Sequence, residues 1–235
     1  MDGAIQNCHI RFPVMFQSWN VITFLHWRYD AEVLRPHLPA GLDLDCFQDS
    51  AWVSLTPFRV EGLRPPFFPT LPWISYFPEM NLRTYVTGPA GPGIWFFSLD
   101  AARLAAVVGA RLTYSLPYYW AKMKVRVEGA RVDYRSSRGK ARAWISVNVG
   151  DPIARKDPLA VFLTERYRLY GRRLGRLAFA EVEHPPWPLY KAKVVSWEES
   201  VRAAAGLPAM PADPIAQYSP GVDVRIGRLR KSIIS

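Results

Sequence analysis

The sequence predicts a mainly β protein of short strands and many turns, with few helices. Three observations predict it. Twenty-one prolines, fifteen glycines and nine tryptophans in 235 residues interrupt any long helical pattern. Segments of strand length recur between glycine- or proline-bearing turns, and the helix signals are short and separately capped. Composition goes no further than β structure with turns.

In chain order, Asp30 caps a short helix, Ala31–Leu38. Ala51–Val60 reads as a strand. Prolines 65, 66, 69, 72 and 78 and several aromatics make Gly62–Pro78 a loop long enough to be a lid or wall over a pocket. Asn81–Thr87 and Gly93–Leu99 are strands, folded back on one another by Gly88-Pro-Ala-Gly-Pro-Gly93. Asp100 or Ser98 caps a small-residue helix, Ala101–Val108. Met123–Glu128, Arg131–Arg135 and Ala141–Val149 form a three-strand meander, broken at Gly129-Ala130 and Ser136–Lys140. Asp157 and Pro158 open a helix over Leu159–Tyr170. Ser196 with Glu199 reads as a capping box before Trp197–Ala205, which Gly206 ends. There is no internal repeat, and one domain over residues 1–235 is expected.

At 49% hydrophobic and 21% charged, the chain belongs to the folded globular class. Thirty Lys and Arg against twenty Asp and Glu leave a net charge of +10. Most of the basic residues are arginines spread among acids and aromatics, with their densest groups at Arg166–Arg168, Arg172–Arg176 and Arg225–Lys231. With no nucleic-acid motif present, solvated arginine-rich faces explain the charge better than a basic nucleic-acid-associated protein does. The longest smooth apolar run, Leu104–Ala110 between Arg103 and Arg111, is too short to cross a membrane. MDGAIQNCHIRF lacks the order of a signal peptide, and Cys8 and Cys46 read as free thiols, so a cytoplasmic location is expected. Cys8, His9, His26, His37 and Cys46 show no paired ligand spacing, and no metal is expected. Phosphate-loop, dinucleotide and nucleophile-elbow motifs are absent, and no cofactor is expected.

Candidate chemistry gathers in two segments. In Pro78–Val86, a strand period of two puts Glu79, Asn81, Arg83 and Tyr85 on one face. Periodicity alone favours an ordinary solvent face. The sharper reading is a pocket wall on which Glu79 moves a proton and Arg83 holds a carboxylate. Ala110–Met123 is dense in aromatics and reads as a strand broken near Pro117, in which Tyr114, Tyr118 and Lys122 share parity. His26 reads as a core histidine bonded to a backbone carbonyl. His184, before Pro-Pro-Trp-Pro, reads as part of a rigid extended segment packed across the fold. Glu165 and Arg166 read as a local ion pair on a helix.

Several motifs carry a resemblance to a known family. Phe24-Leu-His-Trp27, Leu38-Pro-Ala-Gly-Leu-Asp-Leu44, Ala51-Trp-Val53 and Thr56-Pro-Phe58 resemble the YqjF-like family of uncharacterised proteins. The likeness continues through Phe77–Val86, Gly93–Ala101, Ala110-Arg111, Leu116–Tyr118, Leu163–Tyr170 and His184–Leu189, nearly the whole chain. More distantly, over Phe77–Ala121, the sequence is similar to acetoacetate decarboxylase, and this resemblance implies a closed antiparallel β-barrel with peripheral helices. By the same resemblance Glu79 matches the decarboxylase's glutamate, Arg111 its arginine and Pro117 its proline. Leu112 replaces a second glutamate, and Tyr118 and Tyr119 stand where the decarboxylase has two lysines. One of those lysines forms a Schiff base with the substrate, which a phenol cannot do. Lys122 lies four residues beyond Tyr118, roughly 13 Å along an extended strand, and does not reach back.

The resemblance therefore implies a barrel that binds a small oxo or carboxylic acid, or another carbonyl compound. Glu79 and Tyr118 are the candidates for lysine-independent lyase, isomerase or hydratase chemistry. Asn81, Arg83, Tyr85, Arg111, Tyr114 and Tyr119 are the candidate substrate contacts. A non-catalytic ligand-binding or sensory barrel is the alternative, and retained Schiff-base decarboxylation a lesser one. Relatives with this barrel assemble into oligomers, so a homo-oligomer is compatible with the sequence.

Overall fold

The computed structural model describes residues 9–209 and 213–231. Cys8, one of the two expected free thiols, lies outside the described residues; Cys46 is a free, exposed cysteine. Among the described residues, fourteen strands form one mixed sheet. They are β1 (Met15–Tyr29), β2 (Asp43–Leu44), β3 (Ala51–Arg64), β4 (Phe77–Gly88), β5 (Gly91–Ala101), β6 (Tyr118–Trp120) and β7 (Lys122–Glu128). The rest are β8 (Arg131–Arg138), β9 (Ala141–Pro152), β10 (Arg168–Arg173), β11 (Arg176–Glu183), β12 (Tyr190–Glu199), β13 (Ile215–Ile226) and β14 (Arg230–Lys231). Among the described residues four α-helices punctuate them: α1 (Ala31–Leu34), which gives way to a 3-10 turn over Arg35–His37 instead of running to Leu38, α2 (Leu104–Tyr114), α3 (Pro158–Thr164) and α4 (Val201–Ala204).

The order β11-β10-β5-β4-β3-β1-β13 closes on itself, because β11 also pairs with β13. A ring with an odd number of strands cannot alternate direction throughout, and its parallel seam is β10 against β5. The other ring pairings are antiparallel. The expected barrel is present with this one seam. Closure removes sheet edges and encloses an interior lined by alternate residues of each strand. Beyond β13 the sheet continues as a wing, β12-β9-β8-β7. The wing packs Val132, Tyr134, Ile145 and Val147 against Leu25, Val53, Leu55, Met80 and Leu82 on the outer face of the ring. β4 is thereby covered on both faces, which explains its unbroken buried run from Glu79 to Val86.

β1 and β13 approach closely where β1 is irregular. A Cβ on Gly221, at φ +141°, would lie 2.1 Å from Asn20 Oδ1 and 2.5 Å from Trp19 O, so only glycine fits there. The ring and wing are also joined by polar groups. Asp100 on β5 accepts from Arg138 Nε at 2.9 Å and from Ser136 Oγ at 3.2 Å, both on β8.

These contacts correct several helix boundaries. Asp100 is engaged by Arg138 and cannot cap; β5 runs to Ala101, and α2 starts three residues later than expected and extends to Tyr114. Tyr114 therefore shares no strand with Tyr118 and Lys122. α3 keeps its Asp157 cap, with the side chain accepting from Ala160 N at 2.6 Å, but stops at Thr164 rather than Tyr170. Buried donors take the carbonyls of its last two residues: Tyr85 Oη donates to Leu163 O, and Trp187 Nε1 to Thr164 O. Glu165 and Arg166 then lie past the helix, and their partners are distant in sequence, Lys156 and Asp45 respectively. Ser196 is inside β12, opposite Ser146, while Glu199 accepts from Arg202 N to open α4. Gly206, at φ +77°, ends it as expected.

Candidate functional site

The register of β4 decides what its polar row faces. Glu79 pairs with Phe58 on β3, Asn81 with Thr56 and Arg83 with Ser54, without a break in β4 itself. Met80 and Leu82 point to the wing, so Glu79, Asn81, Arg83 and Tyr85 point into the ring. Their exposures are 6%, 5%, 6% and 0%, which overturns the solvent-face reading. Glu79, Asn81 and Arg83 line an interior cavity of about 440 Å³. Tyr85 lies behind it, its hydroxyl bonded to Ser54 Oγ at 2.6 Å and donating to Leu163 O at 2.8 Å.

The parallel pairing of β6 with β5 then separates the two tyrosines. Tyr118 sits opposite Leu99, on the cavity side, and Tyr119 opposite Asp100, on the outer side. Tyr118 Oη donates to Glu79 Oε1 at 3.1 Å and lies 3.2 Å from Oε2. Tyr119 is 37% exposed and packs beneath Arg138, whose guanidinium carbon is 3.8 Å from the ring centroid. Arg111 is on the outer part of α2, where its Nε donates to Tyr118 O at 2.6 Å. Neither Tyr119 nor Arg111 is among the residues around the cavity; Tyr114 is, with its hydroxyl donating to Gly227 O at 3.1 Å. Lys122 and Lys124 are exposed on β7, and no lysine lines the cavity among the described residues.

Burial pushes the Glu79 carboxyl up to about 8; the Tyr118 hydrogen bond opposes this and the charge of Asp100 adds to it. Tyr118 is held well above its ordinary range by burial and by Glu79. Burial lowers Arg83, although a guanidinium remains charged at neutral pH. Arg83 forms no ion pair among the described residues, and its Nε and Nη2 are buried with no hydrogen-bond partner. Asn81 Oδ1 is also without one. The cavity thus brings a carboxyl held largely neutral at pH 7, a phenol, an amide and an unpaired cation into a mainly apolar lining.

Other residues complete the walls. The loop after β3 contributes Pro65, Phe68, Leu71 and Ile74, as the proline-rich segment suggested. Thr164, Arg166, His184 and Trp187 also line it, with Arg166 and His184 near enough to Arg83 to feel its charge. His184 is buried, with Nδ1 2.8 Å from Pro185 O and its ring 4.6 Å from that of Tyr167. Arg166 stacks on Tyr85 and Phe162 while pairing with Asp45. Its place in the wall had no local signal, because it depends on where α3 stops. His26 meets the hydroxyl of Ser54 at 2.6 Å rather than a carbonyl, and burial pushes it down to about 3, so it is neutral. A wider outer cleft of about 730 Å³ shares Gln17, Arg64 and His184 with the cavity. There Glu183 pairs with His9 and Arg225, and Ser18 bonds to Asp223. That cleft is larger, but the unpaired buried cation belongs to the cavity.

Residues 16–223 match DUF2071, described as an uncharacterized conserved protein. The chain belongs to this family. It is 40% identical over 240 residues to the uncharacterized protein YqjF of Bacillus subtilis (strain 168), covering 98% of this chain and 99% of that one. Among solved structures, an acetoacetate decarboxylase from Legionella pneumophila superposes with a TM-score of 0.71 at 12% identity, over 99% of this chain and 92% of that one. The enduracididine biosynthesis enzyme MppR, complexed with pyruvate, gives a TM-score of 0.66 at 12% identity, over 97% and 93%. At these identities the structural likeness establishes the acetoacetate decarboxylase-like fold of this DUF2071 member. No helix among the described residues is long and apolar enough to cross a membrane.

Proposed function

We propose that the barrel binds a small oxo or carboxylic acid, held by its carboxylate on Arg83, and that Glu79 and Tyr118 move a proton on the bound molecule. The observation that carries this reading is Arg83 itself, 6% exposed, lining the cavity and lacking a carboxylate partner. An unpaired charge in an apolar interior is costly, and an anionic ligand offsets that cost. Glu79 does not compete for Arg83, since a carboxyl that ionises at about 8 is mostly neutral at pH 7. In that form it is a general acid; above pH 8 it becomes a base. Tyr118 donates to it and fixes the direction of its lone pairs and proton. Among the described residues the cavity wall offers no lysine for an imine, so the chemistry we propose is proton transfer beside a carbonyl, of lyase, isomerase or hydratase type. The pyruvate bound by MppR, an oxo acid, supports the same class of ligand.

Ligand-observed NMR in D₂O with pyruvate, 2-oxobutanoate and butanoate tests both halves. The wild type should transfer saturation to all three acids and exchange the α-protons of the two oxo acids. Arg83→Gln should lose both signals, while Glu79→Gln should keep binding and lose exchange tenfold or more. Binding without exchange in the wild type would instead support a non-catalytic binding barrel. Equal binding by wild type and Arg83→Gln would overturn the proposal.

A further inference from the structure

We infer that the acid is amphipathic, carrying an apolar chain or ring system of about eight to twelve carbons beyond the carboxylate. The inference rests on the reading of Arg83 as the carboxylate holder and adds what the remaining walls select. A cavity of about 440 Å³ has room for about fifteen water-sized groups. A three-carbon oxo acid would fill less than half of it. The polar side chains are the β4 row with Tyr114 and Tyr118, the group Thr164, Arg166 and His184, and Gln17, Arg64, Ser75 and Thr113. The rest is apolar, with Phe58, Phe77, Phe96, Leu99 and Leu116 contributed by the ring and its approach to β6. Water confined against such walls makes few hydrogen bonds, and apolar ligand surface replaces it favourably.

Two elements over the ring keep that space open. α2 presents Ala105, Ala106, Gly109 and Ala110 to the cavity, all small. A Cβ built on Gly109, which is exposed, would meet nothing within 4 Å, so this end of the cavity is open to solvent. The proline-rich loop brings Phe68, Leu71 and Ile74, all three partly open to solvent, to the same cavity. An apolar body can therefore extend between helix and loop while its carboxylate stays on β4.

Calorimetric titration with butanoate, octanoate, decanoate, dodecanoate and tetradecanoate, each below its micelle concentration, tests this, with octanamide as the uncharged control. Affinity should rise about fourfold per methylene, the factor that burying one methylene supplies, and level off when the space is filled. Ala106→Phe, and Gly109→Phe as a second variant on the same helix, should end the rise at shorter chains and leave butanoate unaffected. Thermal melts confirm that each variant is folded. Arg83→Gln should weaken every acid tenfold or more. If butanoate binds through Arg83 but longer chains bind no better, the amphipathic ligand is wrong and the acid site stands. If octanamide matches octanoate and Arg83→Gln changes nothing, the acid site is wrong, and this inference falls with it.

Discussion

Glu79 is a carboxyl whose charge is decided by burial and by one phenol. Its position on β4 puts it beside Tyr118, and among the described residues it forms no ion pair. Stability should register this. In the unfolded chain Glu79 ionises near 4.5, and in the folded chain at about 8. Between those values the folded state holds the extra proton, so its contribution to stability is complete below pH 4.5 and is lost as pH rises through 8. The loss is up to about 5 kcal/mol. Glu79→Gln should flatten that slope, so that chemical denaturation gives a variant more stable than wild type at pH 9; parallel wild-type and variant profiles would refute the raised carboxyl. At this scale the sequence was partly legible. A period of two grouped Glu79, Asn81, Arg83 and Tyr85, but alternation carries no sign and could not say which face was inside. Tyr118 and Tyr119 were separable only through the register of β6 on β5, a pairing that no local pattern records.

Helices and loops show the same limit one level up. The Asp157 cap and the Gly206 stop were readable because their chemistry is local. The end of α3 was not, because Tyr85 and Trp187 compete for carbonyls from distant parts of the chain. The same holds for α2, whose expected cap Asp100 is drawn away by Arg138. The loop between β3 and β4 owes its shape to Ser75, which is 2% exposed. Ser75 Oγ donates to Leu63 O at 2.6 Å and accepts from Leu71 N at 2.8 Å, which ties the base of the loop to the end of β3. Ser75→Ala leaves both partners unsatisfied, at about 1–3 kcal/mol. Hydrogen exchange should then quicken at Leu63, Leu71 and Ile74, with β3 and β4 protected as before. Unchanged protection at Leu71 would mean that the loop is shaped by its prolines alone.

For the molecule as a whole, the strands of the meander and the β4–β5 pair were legible, being runs of suitable residues between turns. Ring closure was not. It depends on β11 meeting β13 and on the parallel contact of β10 with β5, both between segments distant in sequence. Only the resemblance to a barrel family supplied it. The wing has a comparable origin: β12, β9, β8 and β7 cover an apolar outer face that would otherwise meet water. Covering β4 from outside leaves its other face to the cavity, and this is what makes a glutamate, an asparagine and an arginine interior residues. The most direct measurement is a crystal structure of the protein with octanoate. The account predicts the carboxylate within hydrogen-bonding distance of Arg83, with the chain directed between α2 and the loop. Octanoate bound instead at Arg225 in the outer cleft, with Arg83 still unpaired, would contradict it.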